Sequence, residues 1–289
     1  MNSLIIDDLI LVIYKTYNDL ILIMNRKEEK INMKNKEADA LPSFFINSVP
    51  KSGTHLLKNI VLGIPNVTHN PINELYEGYF YQLNDHFRKL SLMNPNEFGA
   101  GHIIYSPEWL QMLKQLNMKH IFISRDLRDV VVSYVYFIVE KYPYHPLYDY
   151  FTKEAISQKQ RYLALIYGVQ NDKLKYPSIA DWFRPFQGWI KDPYTLYITF
   201  EDLVRSKEST QLQLRRIADY LWNDRTPPIP INIMIEKMEE RMDQKYSLTF
   251  RSGKIGSWKT EFDKEVKDAF KKVAGNILIE LGYEKNYKW

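Results

Sequence analysis

Four short strand-type runs, FFINS (Phe44–Ser48), GAGHIIYS (99–106), KHIFIS (Lys119–Ser124) and YTLYITF (194–200), are each followed closely by a helix-type pattern. In FFINS and KHIFIS the apolar residues stand on consecutive positions, as in a strand buried on both faces. Strands alternating with helices in this way predict an α/β fold, a parallel β-sheet flanked by helices on both faces. Ligands of such sheets bind beyond the carboxyl ends of the strands, so the residue after each strand is where chemistry is expected.

The helices carry their own punctuation. The first is expected from Ser52 to about Leu62, stopped by Pro65, and Ser106 and Pro107 cap and open the helix in SPEWLQMLKQL. DLRDVVVSYVYFIVEKY and TQLQLRRIADYLW are read as helices, and the stretch from Pro65 to Phe98 as a mixed, Tyr-rich region with no assigned strand. Near the end, Thr260 and Asp263 resemble a capping box ahead of an apolar stripe that Gly282 closes.

Three strand ends or loops have the composition of anion sites. In VPKSGTHLL, a strand passes through Lys51, Ser52, Gly53 and Thr54 into a helix. The backbone N–H groups of Ser52 to Leu56, a residue stretch that includes His55, are expected to lack intrahelical partners there. The spacing differs from the Walker pattern, because Lys51 precedes the glycine. In ISRDLRDVVVSYVYF, Arg125 follows a strand directly, and Ser133, eight residues on, lies two helical turns away on a face that could meet the same anion. Arg128 and Asp129 read as a solvated or structural ion pair. In FRSGKIGSWKTEF, the loop Arg251, Ser252 and Gly253 has the composition of an anion nest, or of a flexible surface loop.

In this order the three segments resemble the signature regions of sulfotransferases that use 3′-phosphoadenosine 5′-phosphosulfate (PAPS), in the bacterial-type pattern. TFEDL at 199–203 resembles a further family motif, and the similarity runs from about Ser43 to the C-terminus. The resemblance implies a P-loop-containing nucleotide-binding fold and PAPS as co-substrate, with no metal. It implies that Lys51, Ser52, Gly53, Thr54, His55 and Leu56 meet the phosphosulfate or the adenine. Arg125, Ser133, Arg251, Ser252 and Gly253 would meet the 3′-phosphate, and Phe200 the nucleotide. His102, at the family's catalytic histidine position, is implied as general base, and Lys51 as the cation beside the departing phosphate oxygen. The chain departs from the family pattern at Leu56 (a Trp in the cytosolic enzymes), Ala100 (often Lys), Phe200 (Tyr) and Ser252 (Lys).

Composition narrows the rest. A net charge of +4, from 39 basic and 35 acidic side chains, is too small to mark a nucleic-acid binder, and it suits an enzyme of anionic ligands. The absence of cysteine excludes disulfides and thiolate chemistry and points to a reducing, cytoplasmic compartment. No metal-ligand spacing occurs, and His69, His86, His120 and His145 have no constellation around them. Residues 1–40 read as an amphipathic helix and charged linker, without a signal-peptide cleavage site, ahead of a sulfotransferase-like domain over 41–289. That helix could hold a second copy of the chain or a membrane surface. The aromatic segments Tyr76–Phe87 and Tyr134–Phe151 suit an apolar or ring-containing acceptor, either a small molecule or a glycan or lipid. Two alternatives stand beside the transferase: a P-loop small-molecule kinase, with Ser52 and Asp126 as magnesium ligands, and a non-catalytic membrane-surface scaffold.

Overall fold

The computed structural model describes residues 40–76, 83–242 and 253–289. The N-terminal helix and linker, together with Arg251 and Ser252, lie outside the described residues. Five parallel strands form the central sheet: β1 (Phe44–Ser48), β2 (Thr68–Tyr76), β3 (Glu97–His102), β4 (Lys119–Ser124) and β7 (Thr195–Thr199), in the order β2-β3-β1-β4-β7. A small antiparallel hairpin, β5 (Val169–Gln170) and β6 (Lys175–Tyr176), stands apart from it. The chain moves out to one side of β1 for β2 and β3, then to the other side for β4 and β7. The carboxyl end of β1 is thus the switch point at which such sheets bind ligands.

The helices follow as α1 (Thr54–Val61), α2 (Leu83–Ser91), α3 (Pro107–Gln115), α4 (Leu127–Lys141), α5 (Tyr148–Lys153), α6 (Gln158–Tyr167), α7 (Ile179–Phe183) and α8 (Gln187–Lys191). After β7 come α9 (Phe200–Val204), α10 (Lys207–Trp222), α11 (Ile231–Glu240), α12 (Trp258–Glu261) and α13 (Lys264–Glu280). Alternate strand residues enter two separate cores. Phe44, Ile46, Ile121, Ile123 and Ile198 pack with α1, α10 and α11. Phe45 and Phe122 face the other way, onto α3, α4, α6 and α13. Among the described residues no helix is long and apolar enough to cross a membrane.

Three local expectations need correction. The Tyr-rich region contains β2, an edge strand paired with β3 through a register shift between His69 and Glu74. Its polar sequence THNPINELY hides the pattern, and Pro71 is tolerated because an edge strand need not donate on its open side. The last helix is capped by Asp263, whose Oδ1 accepts the Val266 N–H at 2.9 Å, while Thr260 sits in the short α12 and bonds to the Ser257 carbonyl. Helix α1 starts at Thr54, because Gly53 (φ 103°) turns the chain as its N-cap and Ser52 is still in the loop. By contrast Ser106 caps α3 as expected, accepting the Trp109 N–H at 3.2 Å. Gly282 follows α13 with φ 78°, in the left-handed region that ends many helices.

Where β2 meets β3 the backbones approach closely, and a Cβ on Gly101 would lie 2.0 Å from the Leu75 carbonyl oxygen. Gly101→Ala should therefore push β2 outward and cost about 1–3 kcal/mol, read from urea unfolding. A variant as stable as the parent would show that β2 is not pinned there.

His120 and His145 are buried on the α3–α4 side, and burial holds their pKa values down at about 3 and about 4. His120 Nδ1 meets Thr195 Oγ1 at 2.9 Å while its ring packs at a tilt against Trp189, 4.3 Å between centres. The unfolded chain titrates histidine near pH 6.5, so between that pH and about 4 it binds more protons than the folded chain. This part of the stability is complete above pH ~6.5 and is lost as the pH falls below it. The urea midpoint should be lower at about pH 5 than at about pH 7.5; equal midpoints would contradict two buried neutral histidines.

Candidate functional site

The site begins with the last two residues of β1, which are polar though fully buried. Asn47 Oδ1 accepts the N–H groups of Ser48 (2.9 Å) and Ile103 (2.8 Å), and its amide donates to the Ile103 carbonyl at 2.9 Å. This ties the end of β1 to the residue after His102. Ser48 then meets His102 twice, as both its carbonyl and its hydroxyl lie 3.0 Å from His102 Nδ1. The same hydroxyl is 2.6 Å from Thr54 Oγ1, at the start of α1. One serine therefore joins the candidate base to the candidate phosphosulfate loop.

The loop itself is tightly drawn. Lys51 adopts a left-handed backbone (φ 68°), a conformation that costs a non-glycine residue of order 1 kcal/mol and is held by the turn around it. Its Nζ lies 3.9 Å above the centre of the Phe137 ring on α4. The Ser52 N–H is taken by the Val49 carbonyl at 3.1 Å, so this donor is withdrawn from the expected anion set. The first helical bond runs from Leu57 N–H to the Gly53 carbonyl, which leaves the N–H groups of Thr54, His55 and Leu56 without an intrahelical acceptor. The Ser52 hydroxyl is buried and has no partner. His55 is exposed, and Leu56 packs partly into the α10–α11 core.

His102 ends β3, opposite Tyr76 in the register, with the two rings 5.4 Å apart. Burial lowers its pKa to about 4; the Ser48 carbonyl works against this, while the nearby charges of His55 and Lys51 add to it and Glu74 opposes. The ring is neutral at physiological pH. Its Nδ1 faces a carbonyl and so carries the proton, which leaves the Nε2 lone pair open. On the outer side Glu74 gathers Lys58, the Tyr76 hydroxyl and His69 Nε2. Those partners outweigh its burial and hold the carboxyl at about 2. His69, read from sequence as isolated, thus belongs to an ion cluster.

The second segment is organised around Arg125, buried just beyond β4. Its guanidinium lies 4.3 Å over the Phe200 ring, Nη2 donates to the Lys254 carbonyl at 2.8 Å, and Nε is buried without a partner. Phe200 also fills the space beside Gly53, where an added Cβ would lie 2.9 Å from its ring, so one aromatic side chain braces both anion segments. Ser133 is partly buried in α4, two turns from Arg125. Gly253 begins the described part of the third segment in a left-handed conformation (φ 57°).

Arg128 and Asp129 are structural, but they do not pair with each other. Arg128 grips Asp126 (Nη2 to Oδ2, 2.7 Å) and Glu284 (Nη1 to Oε1, 2.5 Å), whereas Asp129 lies 3.6 Å from Arg125. With Asp126 held by Arg128 and capping α4 through the Arg128 N–H (2.9 Å), the magnesium role that a kinase would give it is already spent. Sequence reading missed Asn47, Ser48 and Glu74. The signal for the first two was present, since polar residues at the end of a buried apolar strand need a reason to be there.

An aromatic wall leads away from Lys51. Phe137 stacks on Tyr134 (6.5 Å), whose hydroxyl meets His145 Nε2 at 3.0 Å and whose ring contacts Trp182 at 5.6 Å.

Comparison with known proteins agrees with this geometry. The family model described as "Sulfotransferase domain" matches residues 41–282. Bovine sulfotransferase 1E1 is 24% identical, over 88% of this chain and 86% of its own length. The flavonol 3-sulfotransferase of Flaveria bidentis is 27% identical, over 82% of each. Mouse sulfotransferase SULT7A1, solved with PAP, superposes with a TM-score of 0.55 at 19% identity, covering 85% of this chain and 90% of that one. Retinol dehydratase, solved with retinol and PAP, gives 0.55 at 17% identity, covering 84% and 85%. These two likenesses concern the fold, and the extent of the domain match settles the rest: this chain belongs to the sulfotransferase family.

Proposed function

We propose that the chain transfers a sulfuryl group from PAPS to the hydroxyl or amine of a small-molecule acceptor, with His102 as general base and Lys51 beside the leaving oxygen. The observation that carries this reading is the hydrogen bond between His102 Nδ1 and the Ser48 carbonyl, which holds the ring with Nε2 as a neutral base. In the in-line step, the acceptor oxygen gives its proton to Nε2 and forms the new O–S bond. The bond between sulfur and the bridging phosphate oxygen breaks, and its electron pair leaves with the 3′,5′-bisphosphate nucleotide (PAP). Negative charge builds on that bridging oxygen, where the Lys51 ammonium and the open N–H groups at the start of α1 are worth most.

The nucleotide end of the site fits the same reading. Arg125 and Ser52 each keep a buried polar atom without a partner, as expected of groups reserved for an anion. Arg125 and Ser133 take the 3′-phosphate, and Phe200 lies against the nucleotide. The aromatic wall from Phe137 to Trp182 is the acceptor side. Its apolar character supports a ring-bearing or otherwise apolar acceptor, and relatives named for flavonol and solved with retinol point the same way.

Two sets of variants test the assignment. His102→Ala should bind PAP as the parent does but lose about 10²–10⁴-fold in sulfation rate, measured with labelled PAPS and a panel of hydroxylated acceptors. Lys51→Ala should lose both rate and PAP affinity, because it touches the nucleotide before and during transfer. Full activity in His102→Ala would move the base elsewhere, with His55 next to test. Arg125→Ala should narrow the preference for PAP over AMP by about ten- to a hundred-fold, the equivalent of roughly 1.5–3 kcal/mol for a charge-assisted contact. Equal weakening of both nucleotides would make Arg125 structural.

A further inference from the structure

Helix α4 directs two adjacent side chains at one turn of chain near the C-terminus. Asp129 is 1% exposed; its Oδ2 accepts the Gly256 N–H at 2.7 Å and its Oδ1 the Trp258 N–H at 3.0 Å. Arg128 lies against two indoles that meet edge to face, with its guanidinium carbon 3.9 Å from the centre of the Trp258 ring and 4.5 Å from that of Trp289. The turn from Lys254 to Trp258 is thus held through its backbone by Asp129 and through its indole by Arg128. Arg125 takes hold of the same turn at the Lys254 carbonyl. The N–H groups of Gly256 and Trp258 bind a carboxylate of the protein itself, and so are not donors for an outside anion.

We propose that Asp129 is a positioning residue for recognition of the nucleotide 3′-phosphate. It fixes the Lys254–Trp258 turn and, as the counter-charge 3.6 Å from Arg125, orients that guanidinium so that its unpartnered Nε is presented to the phosphate. This inference rests on Arg125 as the 3′-phosphate ligand. Simple Coulombic reasoning predicts the opposite effect, because a carboxylate beside Arg125 repels a phosphate there, and removing it should tighten binding. The geometry decides against that. The two N–H groups use different carboxylate oxygens, so an asparagine in its place turns a donor nitrogen toward one of them, and the turn and the Arg125 orientation are lost together.

The test is calorimetric titration of the full chain with PAP and with AMP, for the parent, Asp129→Asn and Gly256→Val. The underlying reading requires the parent to prefer PAP; a parent that binds both alike overturns that reading and this inference with it. Given that preference, Asp129→Asn should narrow the PAP-to-AMP ratio about tenfold while AMP affinity stays within about twofold of the parent. Gly256→Val puts a β-branched residue at φ 77° in the turn while leaving every residue of α4 unchanged, and should narrow the ratio in the same way. It decides the matter should Asp129→Asn fail to fold. An unchanged or wider ratio in a folded variant, or equal weakening of both nucleotides, overturns the role assigned to Asp129.

Discussion

The side-chain amide of Asn47, buried next to the end of β1, accepts from Ser48 and Ile103 and donates back to Ile103. Three hydrogen bonds nearly exhaust what one amide can make, and two of them tie the end of β1 to Ile103, just past β3. β1 is flanked by β3 on one side and β4 on the other, so this point also lies where the connections reverse. The loop carrying Lys51, the strand end carrying His102 and the helix starting at Thr54 are all referenced to it. The Trp189 indole N–H adds a fourth bond at the same Ile103 carbonyl (2.8 Å), extending the reference into the core.

From that anchor the site is built in two parts that differ in rigidity of origin. The end around Ser48, Lys51 and His102 is made of strand termini and the first turn of α1, whose geometry the sheet dictates. The end around Arg125 is made of side chains reaching across: Arg125 to Lys254, Asp129 to Gly256 and Trp258, and Glu201 to the Asp126 N–H (3.0 Å) and the Tyr283 hydroxyl (2.8 Å). Burial raises the carboxyls of Asp129 and Glu201, while their hydrogen bonds pull the other way. Removing one partner from such a network leaves a buried polar group unsatisfied, which costs more than the single bond.

The sheet was legible wherever burial acts on consecutive residues. Phe44–Ser48 and Lys119–Ser124 were read to the residue, because strands covered on both faces carry their apolar residues on consecutive positions. β2 was not legible, since an edge strand with Asn70 and Pro71 in it satisfies no apolar pattern. In the site, the run from Lys51 to Leu56 and Arg125 stood out by their places after strands, and His102 through the family resemblance. Ser48, Glu74 and the partners of Arg128 and Asp129 did not: Ser48 meets His102, Arg128 meets Glu284 and Asp129 meets Gly256 only across long stretches of chain, and nothing local marks Asp126 or Arg125 as the nearer partners. Adjacency in sequence suggested that Arg128 and Asp129 pair. A helix instead sends neighbours about 100° apart, so each found a different partner.

The contact between Gly53 and Phe200 has a consequence for how such a chain can change. The ring occupies the volume that any side chain at position 53 would need, and the same ring carries the Arg125 guanidinium. Positions 53 and 200 therefore form one unit of variation: enlarging the first needs a smaller second as well as a relaxed backbone at φ 103°, and a smaller second removes the support of Arg125. A lineage or an engineer altering the donor loop must cross that barrier with paired substitutions, which holds the loop, the ring and the arginine together as a single inherited block.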